Sequence, residues 1–220
     1  MNPQRFARLR RALERRQPDL TVLMDHVSKS HNFSAILRNC DATGVLEAHI
    51  VPPEKMLKNR LTLQHGISAG SRKWVSIRRH ADVSEAIAHL KERGFQVVAA
   101  HPAESSVDYR EADYTVPTAI MMGAELFGCS EEGLRLADQH VSIPMLGMVH
   151  SLNVSVASSL LLFEAMRQRQ AAGMYDESRL TPEAFDRKLF EWAHPTLAHV
   201  RREAGKPYPA LTPDGDLIRD

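Results

Sequence analysis

The sequence has few of the features that mark secreted, membrane or disulfide-stabilised proteins. Its 220 residues include only two cysteines, Cys40 and Cys129, so no disulfide framework is predicted and a reducing compartment is expected. No apolar run reaches the roughly 18 residues that a membrane-spanning helix requires. The first residues, Met-Asn-Pro-Gln-Arg, lack the apolar stretch of a secretory signal peptide. We therefore expect one globular domain with helical additions, located in the cytoplasm and without membrane contact.

The common nucleotide and metal motifs are also absent from the sequence. No Gly-x-Gly-x-x-Gly pattern follows an apolar strand and no Walker loop is present, which argues against an ordinary dinucleotide or P-loop site. Among the 11 histidines, His194 and His199 lie about 140° apart on an ideal helix, so they do not share a face. We expect no dedicated metal site, and surface or RNA-facing roles for the histidines.

The charge of the chain is nearly balanced, at +1, but it is unevenly distributed. The first 16 residues contain six arginines and one glutamate, a net charge of +5. An arginine cluster on a terminal helix is typical of phosphate binding, and a solvated helix face without a partner explains it equally well. The charge pattern alone leaves both interpretations open.

Short apolar segments alternate with amphipathic ones along most of the chain. Residues 54–73 show no consistent period, and Gly66 and Gly70 are turn signals within them. Alternating strands and helices predict an α/β fold with a mostly parallel sheet covered by helices on both faces. Strands are predicted near 21–27, 48–51, 74–77, 95–100, 119–122 and 141–143, and helices near 3–16, 33–43, 82–93, 151–170, 182–191 and 196–204.

Three segments place polar residues at the ends of predicted core elements, where ligands bind in open α/β sheets. They span residues 32–44, 122–128 and 143–157. The third runs from a strand end through a Pro/Gly loop into a helix predicted to begin near Ser151, with Asn153 in its first turn. The unsatisfied backbone N–H groups of such a helix start favour ligand binding.

Each segment also has a simpler structural explanation. Asn32 stands near the expected start of a helix, where it would serve as a cap. Arg38, six residues later, does not share a narrow face with Asn32 and is equally well explained as an ion-pair partner of Asp41. The glycines around Glu125 permit either close approach to a ligand or an ordinary tight turn. Each signal is weak by itself.

The three segments together, in this order, resemble the three sequence motifs of the ribose 2′-O-methyltransferase branch of the SPOUT superfamily. Further stretches resemble its tRNA (guanosine-2′-O)-methyltransferase subfamily, and the resemblance covers nearly the whole chain. Ala124 departs from the Gly-Asn-Glu sequence of many relatives, which bears on substrate class rather than on the reaction. The further stretches are the arginine-rich start, residues 16–21, Arg167-Gln-Arg169, residues 173–175 and Lys206-Pro-Tyr-Pro209.

The resemblance implies a SPOUT catalytic domain over residues 19–170, with a deep C-terminal trefoil knot at about 120–165. A basic helix at 1–18 and a helical extension with a tail at 171–220 are expected to contact tRNA. S-adenosyl-L-methionine is expected to bind bent within the knot, and no metal is expected. By position, the cofactor contacts are assigned to Ala100, His101, Gly123, Ile143, Met145 and Leu152.

The resemblance further implies a homodimer whose active site forms at the subunit interface and methylates the D-loop guanosine at tRNA position 18. Arg38, supplied by the partner subunit, is expected to activate the ribose 2′-hydroxyl. The residues expected to orient Arg38 and the ribose, or to shape the cofactor pocket, are Asn32, Glu125, Ser151 and Asn153. The arginines expected to contact tRNA phosphates are Arg8, Arg11, Arg167 and Arg169.

Three other functions stay open at this point. The nearest is the same chemistry on ribosomal RNA or on another tRNA ribose. A second is an RNA-binding module that has lost catalysis, against which the intact polar residues of all three segments argue. The third is a nucleotide-dependent oxidoreductase, which the missing glycine pattern disfavours.

Overall fold

A computed structural model describes residues 2–53 and 73–218 and divides the chain into two compact units. The first, which we call the sheet unit, is Pro18–Ala172. The second, the terminal unit, combines Met1–Gln17 with Gly173–Asp220. The aperiodic stretch that carries Gly66 and Gly70 lies outside the described residues. Among the helices of the described part, none is long and apolar enough to cross a membrane.

The sheet unit is built on seven parallel strands in the order β3-β2-β1-β6-β4-β7-β5. The central strands are buried along their whole length, as expected for a parallel sheet that is covered on both faces. The prediction of a mostly parallel α/β fold is therefore confirmed. The strands are β1 Leu20–Asp25, β2 Glu47–Val51, β3 Ser76–Arg79, β4 Gln96–Ala100, β5 Val107–Asp108, β6 Thr118–Met122 and β7 Gln139–Ser142.

Helices cover both faces of the sheet. On one face, Val22 and Met24 of β1 pack in a core with residues of α2 and α5, while Leu23 belongs to a second core with α3 and the residues of α4. Successive side chains of a strand point to opposite faces, which explains this division. The helices of the sheet unit are α2 Ser30–Ala42, α3 Val83–Glu92, α4 Glu131–Leu136 and α5 Val154–Ala171.

The terminal unit contains α1 Pro3–Glu14, α6 Pro182–Ala193 and α7 Pro195–Glu203. Asn2 caps α1, and Thr181 caps α6 with Pro182 in its first turn, where proline is favoured. Within this unit the Arg16 guanidinium lies 5.0 Å from the centroid of the Trp192 ring. One member of the arginine cluster is therefore a buried packing residue.

Several predicted element boundaries are wrong. Helix α2 begins at Ser30 and α5 begins at Val154, three residues before and after the predicted starts. The short β5 and α4 were not predicted at all, because two and six residues are too few to show a period. The trefoil knot over residues 120–165 stays a prediction.

Three histidines form a cluster where β2, the end of β3 and α3 meet. His49 and His80 are 1% and 5% exposed, so the prediction of surface or RNA-facing histidines is wrong for both. Nδ1 of His49 lies 2.9 Å from Nε2 of His80, and the His89 ring centroid is 5.7 and 5.4 Å from theirs. Burial, with the nearby positive charge of His80 and Arg93, lowers the pKa of His49 to about 3.

This cluster predicts a loss of stability in acid. In the unfolded chain His49 takes up a proton near pH 6.5, whereas in the folded protein it stays neutral down to about pH 3. The unfolded state therefore binds more protons between these values, and the free energy of unfolding falls by up to about 1.4 kcal/mol per pH unit as the pH drops below 6.5.

Urea unfolding at several pH values between 7 and 4 measures this slope. His49→Gln should flatten it, whereas His31→Gln, at an exposed histidine, should leave it unchanged. An equal slope in the wild type and the His49 variant would contradict the prediction.

Candidate functional site

A cavity of about 520 Å³ opens at the carboxyl ends of β4, β6 and β7. Because parallel strands end at the same edge of a sheet, the loops that follow them converge there. All of the residues predicted to contact the cofactor line this cavity, and three of the other predicted site residues join them. Those lining residues are Ala100, His101, Gly123, Ile143, Met145, Leu152, Glu125, Ser151 and Asn153.

The loop after β6 is closed on itself by backbone hydrogen bonds. The N–H groups of Ala124 and Gly128 donate to each other's carbonyl oxygens, at 2.8 and 2.9 Å. A Cβ atom on Gly123 would lie 2.0 Å from the backbone nitrogen of Cys129, a distance that no side chain tolerates. The glycine at 123 is therefore needed for the turn itself, and it also lines the cavity.

Glu125 projects from this loop to the start of α2. Its carboxylate accepts hydrogen bonds from the backbone N–H groups of Ser28 and Lys29, from the Ser28 hydroxyl and from the Asn32 amide, at 2.9–3.3 Å. Burial alone would raise the pKa of this carboxyl, but the hydrogen bonds outweigh it and lower the pKa to about 2. An ionised carboxylate with four donors is suited to holding the loop in place rather than to accepting a proton.

Asn32 stands inside the first turn of α2 and does not cap it through its own side chain, because Lys29 occupies the cap position. It is 1% exposed, and its amide nitrogen lies 2.9 Å from Glu125 Oε1. The capping explanation considered for Asn32 is therefore wrong. The residue joins the second helix to the loop that borders the cavity.

Arg38 lies on the exposed side of α2, outside the residues that line the cavity. Its guanidinium makes no hydrogen bond or ion pair with any residue in the described ranges, so the ion pair with Asp41 is not formed. The neighbouring Asn39 fixes α2 against α5, because its amide donates to the Ser155 carbonyl and the Ser158 hydroxyl, both at 2.9 Å. One chain thus presents Arg38 to solvent on a well-anchored helix.

Asn153 and Ser151 border the cavity at the start of α5. The Asn153 side-chain oxygen caps the helix by accepting from the backbone N–H and the hydroxyl of Ser155, at 2.8 and 2.7 Å. Its amide group keeps two N–H donors available for a ligand. Ser151 is exposed in the preceding loop, and its hydroxyl makes no hydrogen bond within the described chain.

The four arginines predicted to contact RNA fall into two groups. Arg8 and Arg11 are exposed on α1, and Arg167 is exposed on α5 with its guanidinium paired to Glu164. These positions are compatible with phosphate contacts. Arg169 is fully buried, with 0% exposure, so its assignment as an RNA contact is wrong.

Arg169 instead holds the end of α5 to the chain around the start of the sheet. Its guanidinium donates to the Asp19 carboxylate at 2.6 Å and to the backbone carbonyls of Asp19, Tyr114 and Val116 at 2.8–3.0 Å. Sequence alone could not separate it from Arg167, because two residues on a helix are about 200° apart and either could have faced the core.

An exposed apolar surface borders the cavity and continues along α5. We call it the apolar rim. Its side chains are 37–101% exposed, and exposed apolar side chains that gather in one region are typical of interaction surfaces. The rim consists of Leu126, Phe127, Leu146, Met148, Val149, Val156, Leu160 and Phe163.

Known proteins match this chain over its whole length. Residues 19–163 match the SpoU rRNA Methylase family, and residues 167–220 match the family described as SpoU, rRNA methylase, C-terminal. The tRNA (guanosine(18)-2′-O)-methyltransferase of Escherichia coli (strain K12) is 50% identical over 222 residues, which is 100% of this chain and 95% of that protein.

Two solved structures show the same fold. The TrmH/SpoU tRNA modifying enzyme of A. aeolicus superposes with a TM-score of 0.79 at 44% identity, covering 87% of this chain and 96% of that one. The SpoU methyltransferase AviRb of Streptomyces viridochromogenes, in complex with the cofactor AdoMet, has a TM-score of 0.60 at 27% identity and covers 72% of this chain and 62% of that one.

The contrast between the two arginines of α5 is testable with a matched pair of variants. Arg169→Met should lower the free energy of unfolding by about 3 kcal/mol, because the half-buried Asp19 carboxylate and three backbone carbonyls lose this buried donor. Arg167→Met should leave thermal stability almost unchanged, because the Arg167 guanidinium is exposed and Glu164 keeps its hydrogen bond from Gln168.

Calorimetry measures the stability of both variants, and filter binding of tRNA tests the prediction that Arg167 contacts RNA phosphates. Arg167→Met should weaken tRNA binding and reduce its salt dependence. A large drop in melting temperature for Arg167→Met, or none for Arg169→Met, would contradict the assignment.

Proposed function

The chain belongs to the SpoU methylase family, and from that premise we propose that it methylates the ribose 2′-hydroxyl of guanosine 18 in the D-loop of tRNA. The observation that carries this proposal is the cavity at the carboxyl edge of the sheet, which is lined by predicted site residues of the second and third sequence segments. Asn32 of the first segment is linked to this cavity by its hydrogen bond to Glu125. The 50% identity to a tRNA (guanosine(18)-2′-O)-methyltransferase across the whole chain supports the substrate. Because the chain belongs to a methylase family, the alternative of a nucleotide-dependent oxidoreductase is wrong.

The cavity fits S-adenosyl-L-methionine in both size and lining. Its volume lies in the range of small-molecule sites, and its walls combine apolar side chains such as Ile143 and Leu152 with a few polar groups. The absence of a Cβ at Gly123 lets the loop after β6 close tightly at the cavity wall, because a Cβ there would meet the backbone of Gly128 and Cys129. When bound, the cofactor supplies a methyl group made electrophilic by its sulfonium. The residues of the chain must then orient the ribose hydroxyl and manage its proton.

Arg38 is the group proposed to activate that hydroxyl. A guanidinium is a permanent cation, so it does not act as a simple base. Its planar fork can instead hold a substrate phosphate and stabilise the alkoxide that develops on the 2′-oxygen, with the phosphate taking up the proton. Asn32 and Glu125 position the helix that carries Arg38. Asn153 and Ser151 offer hydrogen-bonding groups to the ribose from the cavity wall.

We propose that the active form is a homodimer in which Arg38 reaches the cavity of the other subunit. Two observations support this arrangement. Arg38 stands outside the cavity of its own chain, with no partner in the described residues, and the apolar rim would be covered by a second copy. Burying such a surface is the main favourable contribution to stable association.

The terminal unit and the basic face of α1 are proposed to hold tRNA. Arg8, Arg11 and Arg167 are exposed cations that can contact phosphates without reading sequence. We also propose a cytoplasmic location, because tRNA is the proposed substrate.

Methyl transfer to unmodified tRNA transcript tests the function directly. Labelled S-adenosyl-L-methionine should transfer its methyl group to guanosine 18, detected as nuclease resistance at that ribose. Arg38→Lys should lose most of its turnover while retaining cofactor binding, because the planar fork is lost.

The reaction should be run in parallel with ribosomal RNA transcripts and with tRNA in which guanosine 18 carries a 2′-deoxyribose. Label on ribosomal RNA, or at another tRNA ribose, would replace the proposed substrate. Near-normal turnover by Arg38→Lys would refute the role of the arginine.

Mixed dimers test whether Arg38 acts across the interface. Homodimers of Arg38→Lys and of Gly123→Ala should both be inactive, the second because its cavity cannot form. Subunits of the two variants, co-expressed with different affinity tags and purified as the mixed dimer, should recover about half of the wild-type activity. The recovered site combines the intact cavity of one subunit with Arg38 of the other. If Arg38 served its own cavity, both sites of the mixed dimer would be inactive.

A further inference from the structure

The terminal unit contains a cavity of its own, to which the mechanism above gives no role. It has a volume of about 960 Å³ and lies between α1, α6 and the tail that follows α7. Every residue that lines it belongs to the terminal unit. Five of the lining side chains are cationic and three are acidic, and its aromatic residues are Phe6, Phe190 and Tyr208. A cavity of this size can hold a nucleotide.

The tail that closes this cavity is fixed at both of its ends. On α7, the carbonyl of Arg201 accepts from the backbone N–H of Lys206 at 2.9 Å, and the Arg201 guanidinium donates to the Pro207 carbonyl at 3.1 Å. On α1, the tail packs so closely that a Cβ atom on Gly215 would lie 2.4 Å from the ring of Phe6. The residues between these two points therefore have defined positions at the cavity wall.

Tyr208, within this tail, extends a stack of rings that begins in the interior of the unit. Its ring centroid is 4.6 Å from that of Phe190, and the two ring planes differ by 13°. Phe190 is 1% exposed, and its other ring neighbour is His194, with centroids 5.5 Å apart. Tyr208 is only half-buried and lines the cavity. The stack thus ends at the cavity in a partly exposed ring, onto which a planar base can stack.

Exposed cations stand around this ring. The positive charges of Arg187 and Arg202 lower the pKa of the Tyr208 hydroxyl. Burial and then Glu191 outweigh them, so the pKa is raised above the ordinary tyrosine value. The side chains of Arg187 and Lys206 make no hydrogen bond or ion pair with any residue in ranges 2–53 and 73–218. Both are exposed, so they are available to a ligand.

A ring beside such cations suits an unpaired nucleotide of RNA. A base within a duplex is held between its neighbours, whereas a loop base can turn outward and stack on an aromatic side chain. The phosphate of that nucleotide is an anion that lysine and arginine bind. The exposed carboxylates of Glu183 and Asp186 also line the cavity, which disfavours a ligand held by negative charge alone. A ligand that combines a ring with one phosphate fits the lining better than an acidic peptide does.

We propose that the cavity of the terminal unit binds an unpaired nucleotide of tRNA, with its base stacked on Tyr208 and its phosphate bound by Arg187 and Lys206. This contact is separate from the cofactor cavity and from the arginines of α1. The inference rests on the proposed function for tRNA as the ligand. The stack, the charges and the cavity are properties of the chain itself.

Substitutions separate the ring from the charges. Tyr208→Leu removes the ring, Tyr208→Phe keeps it, and a double variant, Arg187→Met with Lys206→Met, removes the two cations. The matched control is Lys73→Met with Arg79→Met, since these are two exposed cations of the sheet unit that line neither cavity. Thermal unfolding of each variant establishes that the terminal unit is intact. If Tyr208→Leu disrupts it, the double variant decides the test, because it changes exposed side chains only.

Filter binding at several salt concentrations compares two RNA probes. One is an unmodified tRNA transcript, which has unpaired loop nucleotides, and the other is a fully paired RNA duplex of the same length. Tyr208→Leu should bind tRNA about tenfold more weakly with an unchanged salt slope, because a stacked ring releases no counterions. It should bind the duplex as the wild type does. Tyr208→Phe should match the wild type on both probes.

The double variant of Arg187 and Lys206 should weaken tRNA binding and lower the slope of log affinity against log salt by about one to two, whereas the control pair changes neither. The proposal is overturned if an intact Tyr208→Leu protein binds tRNA as tightly as Tyr208→Phe does, or if it loses affinity equally for tRNA and duplex. It is also overturned if the double variant matches the control pair.

Filter binding does not depend on turnover, so the failure of this inference and the failure of the proposed function are distinguishable. A protein that bound tRNA with the expected pattern of variants but methylated only ribosomal RNA would support this inference and refute the proposed function. Methylation of guanosine 18 with full activity and affinity in all of these variants would do the reverse.

Discussion

The structure of the proposed site depends on the hydrogen bonds that the Glu125 carboxylate accepts. Three residues at the start of α2, namely Ser28, Lys29 and Asn32, donate to it. These bonds connect the loop after β6, which forms one wall of the cavity, with the helix that carries Arg38. Because the carboxylate is ionised and fully engaged, it holds together two segments that are 93–97 residues apart in sequence. The loop that lines the cavity and the start of the helix that carries Arg38 are therefore linked within one chain.

The proposed homodimer follows from where one chain places these groups. The Glu125 carboxylate links the cavity to the helix that carries Arg38, yet Arg38 does not line the cavity of its own chain. The apolar rim beside the cavity exposes large apolar side chains to water, which is unfavourable unless a partner covers them. In the proposed homodimer, a second copy covers this surface and its Arg38 reaches the cavity beside it.

The sequence by itself determined the elements with strong local signals. The apolar strands and the helices near 82–93 and 182–191 depend on neighbours within a few positions, and the structure has them there, with Asp82 and Thr181 as their caps and Gly94 just past the end of the first. The order of the three polar segments was also enough to indicate the family and to nominate the residues that line the cavity. Parallel strands end at a common edge, so residues that follow different strands meet whatever the details of the loops.

Only the tertiary structure decided the orientation and partners of the polar side chains. Arg167 and Arg169 have the same chemistry in sequence, but one faces solvent and the other is buried against Asp19, because the rotation of α5 is set by the core. His49, His80 and His89 come together from elements up to 40 residues apart, and Glu125 binds the residues at the start of α2 from a distant loop. A local sequence pattern cannot predict such contacts, because each one depends on which distant residue the fold places beside the side chain.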